Sequence, residues 1–249
     1  MDISNITWMD DHTFKTRNYI FDCDMSNFRR HTTIDRIVLL KPKGFLSHYA
    51  EILREGSRNI FELGFFQCGM PLLLADTTPA KIVAVDRIPP NEAVKAHIAA
   101  AGYYEKVKLH APVMQDDGAG IRRILDQEFG STPIDLITDD CSHEYAPTRA
   151  SFETTFGYLR PGGRYIIEDW GWAHWRNRSH SERFADRPTL TNLIFEIVMA
   201  LASAPDIVAR VDIPNGAMAI ITRGPALPYK AKLDLSNTYL LGTRQFGLM

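Results

Sequence analysis

Residues 133–145 read Pro-Ile-Asp-Leu-Ile-Thr-Asp-Asp-Cys-Ser-His-Glu-Tyr, and residues 159–170 read Leu-Arg-Pro-Gly-Gly-Arg-Tyr-Ile-Ile-Glu-Asp-Trp. Each segment contains a short apolar run that ends in a pair of acids, and such runs are typical of buried parallel strands. Between them, apolar residues at helical spacing predict a helix over 150–159, which Pro161-Gly162-Gly163 is expected to end. The stretch therefore predicts a strand–helix–strand unit.

The acids of this unit are candidates for a functional site. A strand–helix–strand crossover makes the two strands parallel and brings their carboxyl ends to one edge of the sheet. Open α/β sheets bind ligands at that edge. We therefore expect the following side chains to converge there: Asp139, Asp140, His143, Glu168 and Asp169.

Composition limits the class of protein. The chain has 249 residues and a formal net charge of −2, so no polyanion such as a nucleic acid is expected as a partner. No window approaches the roughly 18 apolar residues of a membrane span, and the amino terminus does not resemble a signal peptide. Three scattered cysteines exclude a disulfide framework. A cytoplasmic enzyme without membrane contact is the expectation.

The order of predicted elements indicates the fold class. Apolar runs alternate with helical segments and are followed by a hairpin around Pro214-Asn215-Gly216. This pattern predicts an α/β protein with a Rossmann-like, doubly wound, seven-stranded sheet and a terminal antiparallel β-hairpin. We expect a cap or lid over 1–56, irregular or part-helical as far as about residue 32, a catalytic domain over 57–224 and a tail over 225–249. The tail can be ordered by the core or by a second subunit, and a homo-oligomer is expected.

A second candidate site follows the first strand of the catalytic domain. Glu62-Leu63-Gly64 lies at a strand-to-helix turn, where glycine allows the backbone to approach a ligand. Asp86 ends the next strand, where a carboxylate can accept hydrogen bonds from both hydroxyls of a ribose. A dinucleotide dehydrogenase offers the same second acid, but this turn lacks the Gly-x-Gly-x-x-Gly spacing that seats a pyrophosphate. Glu62 is suited instead to the ammonium group of an amino-acid-bearing nucleoside, or it caps the strand.

These residues resemble the class I S-adenosylmethionine-dependent methyltransferases over roughly 33–223. The matching positions are Glu62-x-Gly64, Asp86, Gln115-Asp116-Asp117 and the terminal hairpin. A closer resemblance is to the metal-dependent sugar and macrolide O-methyltransferases of antibiotic biosynthesis, through Asp140-Cys141-Ser142-His143 and through Pro161-Gly162-Gly163 with Glu168-Asp169. The chain departs from the family at Phe66 and Cys68, which stand where many methyltransferases have glycine or small polar residues.

The resemblance implies cofactors and roles for individual residues. It implies S-adenosylmethionine and Mg²⁺ as cofactors, Asp140 and His143 as catalytic residues, and His143 as the general base. Asp140, Glu168 and Asp169 are the implied metal ligands, and three carboxylates suit Mg²⁺, which prefers oxygen. Acids at strand ends can also be merely solvated or cap the following helix, which fits Asp139 better than Asp140. The residues expected to bind the methyl donor are Glu62, Gly64, Phe65, Asp86, Arg87, Gln115, Asp116 and Asp139.

The predicted function is Mg²⁺-dependent O-methyl transfer to a hydroxyl of a small natural product, possibly a sugar or a polyketide. The aromatic loop 170–175 is expected either to line the acceptor pocket or simply to pack. Three alternatives remain: an enzyme that binds the same cofactor without transferring methyl, a nicotinamide-dependent dehydrogenase, and a non-catalytic binding protein. The first turn and the absence of a Tyr-x-x-x-Lys pair after the fourth strand of the predicted sheet argue against the dehydrogenase.

Overall fold

A computed structural model describes residues 6–26, 28–53, 56–176, 182 and 184–239. By its internal contacts the chain divides into two compact units, Met1–Val113 and Met114–Met249. The predicted division into 1–56, 57–224 and 225–249 is a different partition of the chain, and it stays a prediction.

The amino-terminal segment forms a small sheet, not the irregular or part-helical cap expected from the sequence. Its strands are β1 (Thr7–Trp8), β2 (Thr13–Lys15), β3 (Ile20–Asp22) and β4 (Ile37–Val38), in the order β1-β2-β3-β4. Phe14 and Phe21 face each other across β2 and β3, fully buried and stacked at a centroid distance of 5.0 Å. Strands of two or three residues are too short to show the alternation from which strands are recognised.

The rest of the first unit alternates helices with parallel strands. The elements are α1 (Lys43–Leu53), β5 (Asn59–Leu63), α2 (Gly69–Thr77), β6 (Lys81–Val85), α3 (Glu92–Ala100) and β7 (Val107–His110). Strand β6 pairs in parallel with both β5 and β7. The middle residues of β5 and β6 are fully buried, which explains their apolar runs.

The second unit contains α4 (Gly118–Phe129), β8 (Ile134–Asp139), α5 (Tyr145–Thr155), β9 (Leu159–Glu168), α6 (Leu190–Ser203), β10 (Val208–Asn215) and β11 (Met218–Arg223). Strands β8 and β9 are parallel, while β11 pairs antiparallel with β9 and β10. These strands belong to a seven-stranded sheet, in the order β5-β6-β7 within the first unit and β10-β11-β9-β8 within the second. The predicted fold class, including the terminal hairpin, is confirmed.

The helix between β8 and β9 lies several residues earlier than predicted. It begins at Tyr145 because Pro147 falls in the first turn, where proline is tolerated. After Thr155 the chain makes a 3₁₀ turn, Phe156–Tyr158, and then enters β9. Pro161-Gly162-Gly163 therefore lies within β9, beside an irregularity in the β8–β9 register, and does not end the helix.

The tail packs against the second unit as far as residue 239. The amide of Lys230 donates to the carbonyl of Gly157 at 2.9 Å, and the amide of Leu233 donates to that of Glu153 at 2.9 Å. Leu233 and Leu235 are buried. The core therefore orders this part of the tail, while residues 240–249 lie outside the described part of the chain.

Within the described residues, no helix has the length and apolar character needed to cross a bilayer.

The contact between Gly157 and the tail gives a test of the packing. A Cβ at Gly157 would lie 2.1 Å from the carbonyl oxygen of Ala231, so Gly157→Ala should force the tail backbone to move. Overpacking of this kind costs about 1–3 kcal/mol, which urea denaturation would measure. The control is Gly44→Ala in α1, where a Cβ meets nothing within 4 Å and helix propensity favours alanine. Equal unfolding midpoints for the two variants would contradict the packing.

Candidate active site

The turn after β5 is shaped by three residues with positive φ. Gly64 has φ 88°, while Phe66 (φ 43°) and Cys68 (φ 61°) are in the left-handed region without being glycine. A non-glycine residue in this region is uncommon and must be held by its surroundings. The departures from the family pattern noted in the sequence are thus the residues that carry the unusual backbone.

Asp86 is one of the groups that hold this turn. Its Oδ2 accepts a hydrogen bond from the amide of Phe66 at 2.8 Å, and its Oδ1 accepts one from the amide of Ile88 at 2.9 Å. Each carboxylate oxygen has a second lone pair, so two further hydrogen bonds can be accepted. The side chain is therefore fixed in place and still able to bind a pair of hydroxyls.

The amino-terminal segment also supports the turn. The amide of Thr32 donates to Oε1 of Gln67 at 2.9 Å, and the Thr32 hydroxyl donates to the Gln67 carbonyl at 2.8 Å. At Gly69, a Cβ would lie 2.4 Å from the carbonyl oxygen of Val38, so β4 can approach α2 only because this residue is glycine. Part of the predicted cap or lid therefore supports the turn after β5.

The residues predicted to bind the methyl donor are divided between the units. In the first unit, Glu62 (2% exposed) and Phe65 are buried, Gly64 and Asp86 form the turn just described, and Arg87 is exposed. In the second unit, Asp116 is exposed, whereas Gln115 and Asp139 are buried and hydrogen-bonded to each other. Their role in binding the donor stays a prediction.

Two of the predicted metal ligands lie together with His143. The ligand atoms of Asp140, His143 and Asp169 are all within 4.8 Å of one another, and all three residues are half-buried. Nε2 of His143 is 3.7 Å from Oδ1 of Asp140. The two carboxylates offer oxygen ligands of the kind that Mg²⁺ prefers, and the imidazole lies beside them. The carboxylates of this cluster therefore fit the metal that the resemblance implies.

Each of the two acid pairs contributes one member to the cluster. Asp140 and Asp169 belong to it, whereas Asp139 and Glu168 are 2% exposed and do not. Successive side chains of an extended strand point to opposite faces, so adjacent acids rarely reach the same point. That Glu168 binds the metal stays a prediction. The third member of the cluster is His143.

The hairpin turn between β10 and β11 holds Asp169 in its unusual backbone conformation, with φ 53°. The amide of Asp169 donates to the carbonyl of Ala217 at 2.7 Å, and the amide of Gly171 donates to that of Gly216 at 2.9 Å. Nε1 of Trp170 donates to the carbonyl of Asn215 at 3.0 Å. The terminal hairpin therefore positions a predicted metal ligand.

Contacts hold both the ring of His143 and the start of the helix that follows it. Its backbone is left-handed, with φ 55°, and its ring packs edge-on against Trp172 at a centroid distance of 4.9 Å. Two residues later, the hydroxyl of Tyr145 makes a short hydrogen bond to Glu196 of α6, which fixes the start of α5. Two tryptophans of loop 170–175 thus support the cluster, and Trp175 remains exposed.

Asp139 is buried in a network that the sequence did not predict. Its carboxylate accepts hydrogen bonds from Gln115 Nε2 at 2.8 Å, Ser151 Oγ at 2.7 Å and the Tyr165 hydroxyl at 2.9 Å. Burial raises the pKa of Asp139 to about 6, and the three hydrogen bonds limit that rise. The expectation of a merely solvated acid is therefore wrong. In the sequence, Ser151 on the buried face of α5 is the signal that could have indicated this network.

Sequence comparison finds curated relatives that are named O-methyltransferases. No protein-family model matches the chain. L-olivosyl-oleandolide 3-O-methyltransferase of Streptomyces antibioticus is 41% identical over 70 residues, which are 28% of this chain and 17% of that protein. Mycinamicin VI 2''-O-methyltransferase of Micromonospora griseorubida is 43% identical over 61 residues, which are 24% of this chain and 14% of that protein.

A solved structure extends the similarity to most of the chain. It is the MycE methyltransferase from the mycinamycin biosynthetic pathway in complex with Mg, SAH and mycinamycin VI, with a TM-score of 0.55 and 20% identity. The alignment covers 72% of this chain and 49% of MycE. The chain has a methyltransferase fold. The resemblance to sugar and macrolide O-methyltransferases is confirmed, although the chain spans only about half of MycE and less than a fifth of the two curated relatives.

Within this methyltransferase fold, the raised pKa of Asp139 predicts a pH-dependent stability. In the unfolded chain an aspartate has a pKa of about 3.9, so as pH rises from about 4 to 6 the unfolded chain loses its proton first and is stabilised. The contribution of the buried acid to the free energy of unfolding is therefore fully present below about pH 4 and is lost as pH rises through about 6. The loss is on the order of 3 kcal/mol.

Urea denaturation of the wild type and Asp139→Asn between pH 4 and pH 7 would measure this loss, because titrations common to both proteins cancel in the difference. The stability of the wild type relative to the variant should fall with rising pH. A difference that does not change with pH would contradict the assignment.

Proposed function

We propose that this chain is an S-adenosylmethionine-dependent, divalent-metal-dependent O-methyltransferase that acts on a hydroxyl of a small natural product, such as a sugar or a polyketide. The observation that carries the proposal is the cluster of Asp140, His143 and Asp169 after two parallel strands of the sheet. This cluster combines potential metal ligands with a base, and each of the two can make an alcohol more nucleophilic.

The first unit is assigned to the methyl donor. Asp86 would accept hydrogen bonds from the two ribose hydroxyls, and Glu62 would pair with the ammonium group of the amino-acid moiety. Gly64 leaves space for a ligand beside the turn because it has no Cβ. The two backbone donors on Asp86 support this role, since they orient its carboxylate before the ligand arrives.

The second unit is assigned to the acceptor. Asp140 and Asp169 would hold the cation, whose chemical contribution is to lower the pKa of the acceptor hydroxyl. The acceptor oxygen forms its new bond to the methyl carbon while the carbon–sulfur bond breaks and its electron pair stays on sulfur. The proton of the hydroxyl passes to Nε2 of His143, the nitrogen that faces Asp140. The products are the methyl ether and S-adenosylhomocysteine.

The nature of the relatives supports this chemistry over the alternatives. The two sequence relatives described above are named as O-methyltransferases that act on glycosylated or macrolide compounds, and MycE was solved with Mg and SAH. Neither a dehydrogenase nor a non-catalytic protein has comparable support. The acceptor is proposed only as a small hydroxylated molecule. A homo-oligomeric state, the cytoplasmic location and the absence of nucleic-acid and membrane partners remain predictions.

Asp86 provides the test of the donor site. Asp86→Ala would remove two charge-assisted hydrogen bonds to the ribose, each of about 1.5–3 kcal/mol, so affinity for S-adenosylhomocysteine should fall by an order of magnitude or more. Calorimetry measures this directly. Asp35→Ala is the control, because Asp35 is an exposed acid of the same unit. Unchanged affinity in a folded Asp86→Ala protein would remove Asp86 from the donor site.

His143 provides the test of the chemistry. A general base contributes about 10²- to 10⁴-fold, so His143→Ala should lower kcat by that factor, with partial recovery as pH rises. His12→Ala is the control, because His12 is an exposed histidine of the first unit and lies outside the cluster. Formation of S-adenosylhomocysteine would be followed with and without a chelator. Undiminished turnover in His143→Ala, or full activity in excess chelator, would contradict the proposed mechanism.

A further inference from the structure

We infer that Gln115 is a positioning residue that connects the buried Asp139 to the loop carrying Asp140 and His143. The inference rests on the proposed function in assigning metal binding to that loop. It differs from the prediction that Gln115 contacts the methyl donor.

The two ends of the Gln115 amide are bonded to different parts of the second unit. Nε2 donates to Oδ1 of Asp139 at 2.8 Å, and Oε1 accepts from the hydroxyl of Ser142 at 2.5 Å and from its amide at 3.3 Å. Nε2 also lies within hydrogen-bonding distance of the hydroxyls of Thr148, at 3.2 Å, and Ser151, at 3.4 Å. An amide has two donor hydrogens and two acceptor lone pairs. Internal partners thus use the whole capacity of this buried side chain.

The Asp139 end of the connection is rigid. Ser151 on α5 and Tyr165 on β9 are fully buried, and both donate to Oδ2 of Asp139. Oδ1 is then directed at Gln115. The core of the unit therefore fixes the orientation of the Gln115 amide, so that its Oε1 points towards Ser142.

The Ser142 end of the connection lies in the loop that carries Asp140 and His143 of the proposed metal site. Ser142 is between Asp140 and His143 in the sequence, and its hydroxyl oxygen also accepts from the amide of Glu144 at 3.3 Å. The next residue, His143, has the left-handed backbone, a strained conformation that persists only when its surroundings hold it. Two hydrogen bonds from Ser142 to Oε1 of Gln115 hold the backbone directly before His143. Loss of this connection should let the loop relax and separate the ligand atoms of the cluster.

The experiment compares two variants that break the connection with one that does not. Gln115→Met removes both ends of the amide, and Ser142→Ala removes the hydroxyl bond. The matched control is Thr155→Val, which removes a buried hydrogen bond to the carbonyl of Ser151 but leaves the side-chain partners of Gln115 in place. Mn²⁺ affinity is measured by electron paramagnetic resonance of the free ion, S-adenosylhomocysteine affinity by calorimetry, and backbone hydrogen exchange over 140–145 by mass spectrometry.

Gln115→Met and Ser142→Ala should each weaken Mn²⁺ binding by about tenfold or more, the usual effect of losing a group that orients a metal ligand. The double variant should be little worse than either single one, because both act on one connection. Affinity for S-adenosylhomocysteine should stay close to that of the wild type, and Ser142→Thr, which keeps the hydroxyl, should restore Mn²⁺ binding. Thr155→Val should lower the melting temperature while leaving Mn²⁺ affinity nearly unchanged.

Two results would overturn the inference. One is weaker S-adenosylhomocysteine binding with unchanged Mn²⁺ binding in Gln115→Met, which would return Gln115 to the donor site. The other is an equal loss of Mn²⁺ binding in Thr155→Val. If the wild type does not bind Mn²⁺, the proposed function fails, and hydrogen exchange alone decides the inference. Faster exchange over 140–145 in Gln115→Met than in Thr155→Val supports it, and equal exchange contradicts it.

Discussion

The carboxylate of Asp139 accepts three hydrogen bonds in the interior of the second unit, from Gln115, Ser151 and Tyr165. A buried charge without such partners would be strongly unfavourable, so the three donors and the carboxylate require one another. They come from the loop before α4, from α5 and from β9. The interaction therefore fixes the end of β8, and with it the place where Asp140 leaves the sheet.

Unusual backbone conformations are concentrated next to the candidate site residues. Of the five non-glycine residues with positive φ among those described, Phe66 and Cys68 belong to the turn after β5, while His143 and Asp169 belong to the cluster with Asp140. Neighbouring groups hold them, such as Asp86, which accepts from the amide of Phe66, and the hairpin turn, which binds the backbone around Asp169. Strain held in this way orients side chains before a ligand binds.

Sequence reasoning predicted the elements whose signal is long and local. Five-residue apolar runs such as 59–63 and 81–85 identified the parallel strands, and the Pro-Asn-Gly turn identified the hairpin. The amino-terminal sheet was missed because its strands have two or three residues, and α5 was misplaced because Pro147 was not considered as a first-turn residue. The sequence favoured Asp140 over Asp139 as a metal ligand, but it could not tell which of Glu168 and Asp169 joins the cluster. That choice depends on how the chain leaves β9, which is set by hydrogen bonds to the hairpin turn, distant in the sequence.

The central claim is that Asp140, His143 and Asp169 form a site for a divalent cation. The most direct measurement is an anomalous difference map of crystals grown with Mn²⁺ and S-adenosylhomocysteine, recorded at the manganese absorption edge. The account predicts a peak bonded to carboxylate oxygens of Asp140 and Asp169, with His143 beside it. A protein that turns over with Mn²⁺ in solution but shows its only anomalous peak away from these residues would contradict the account.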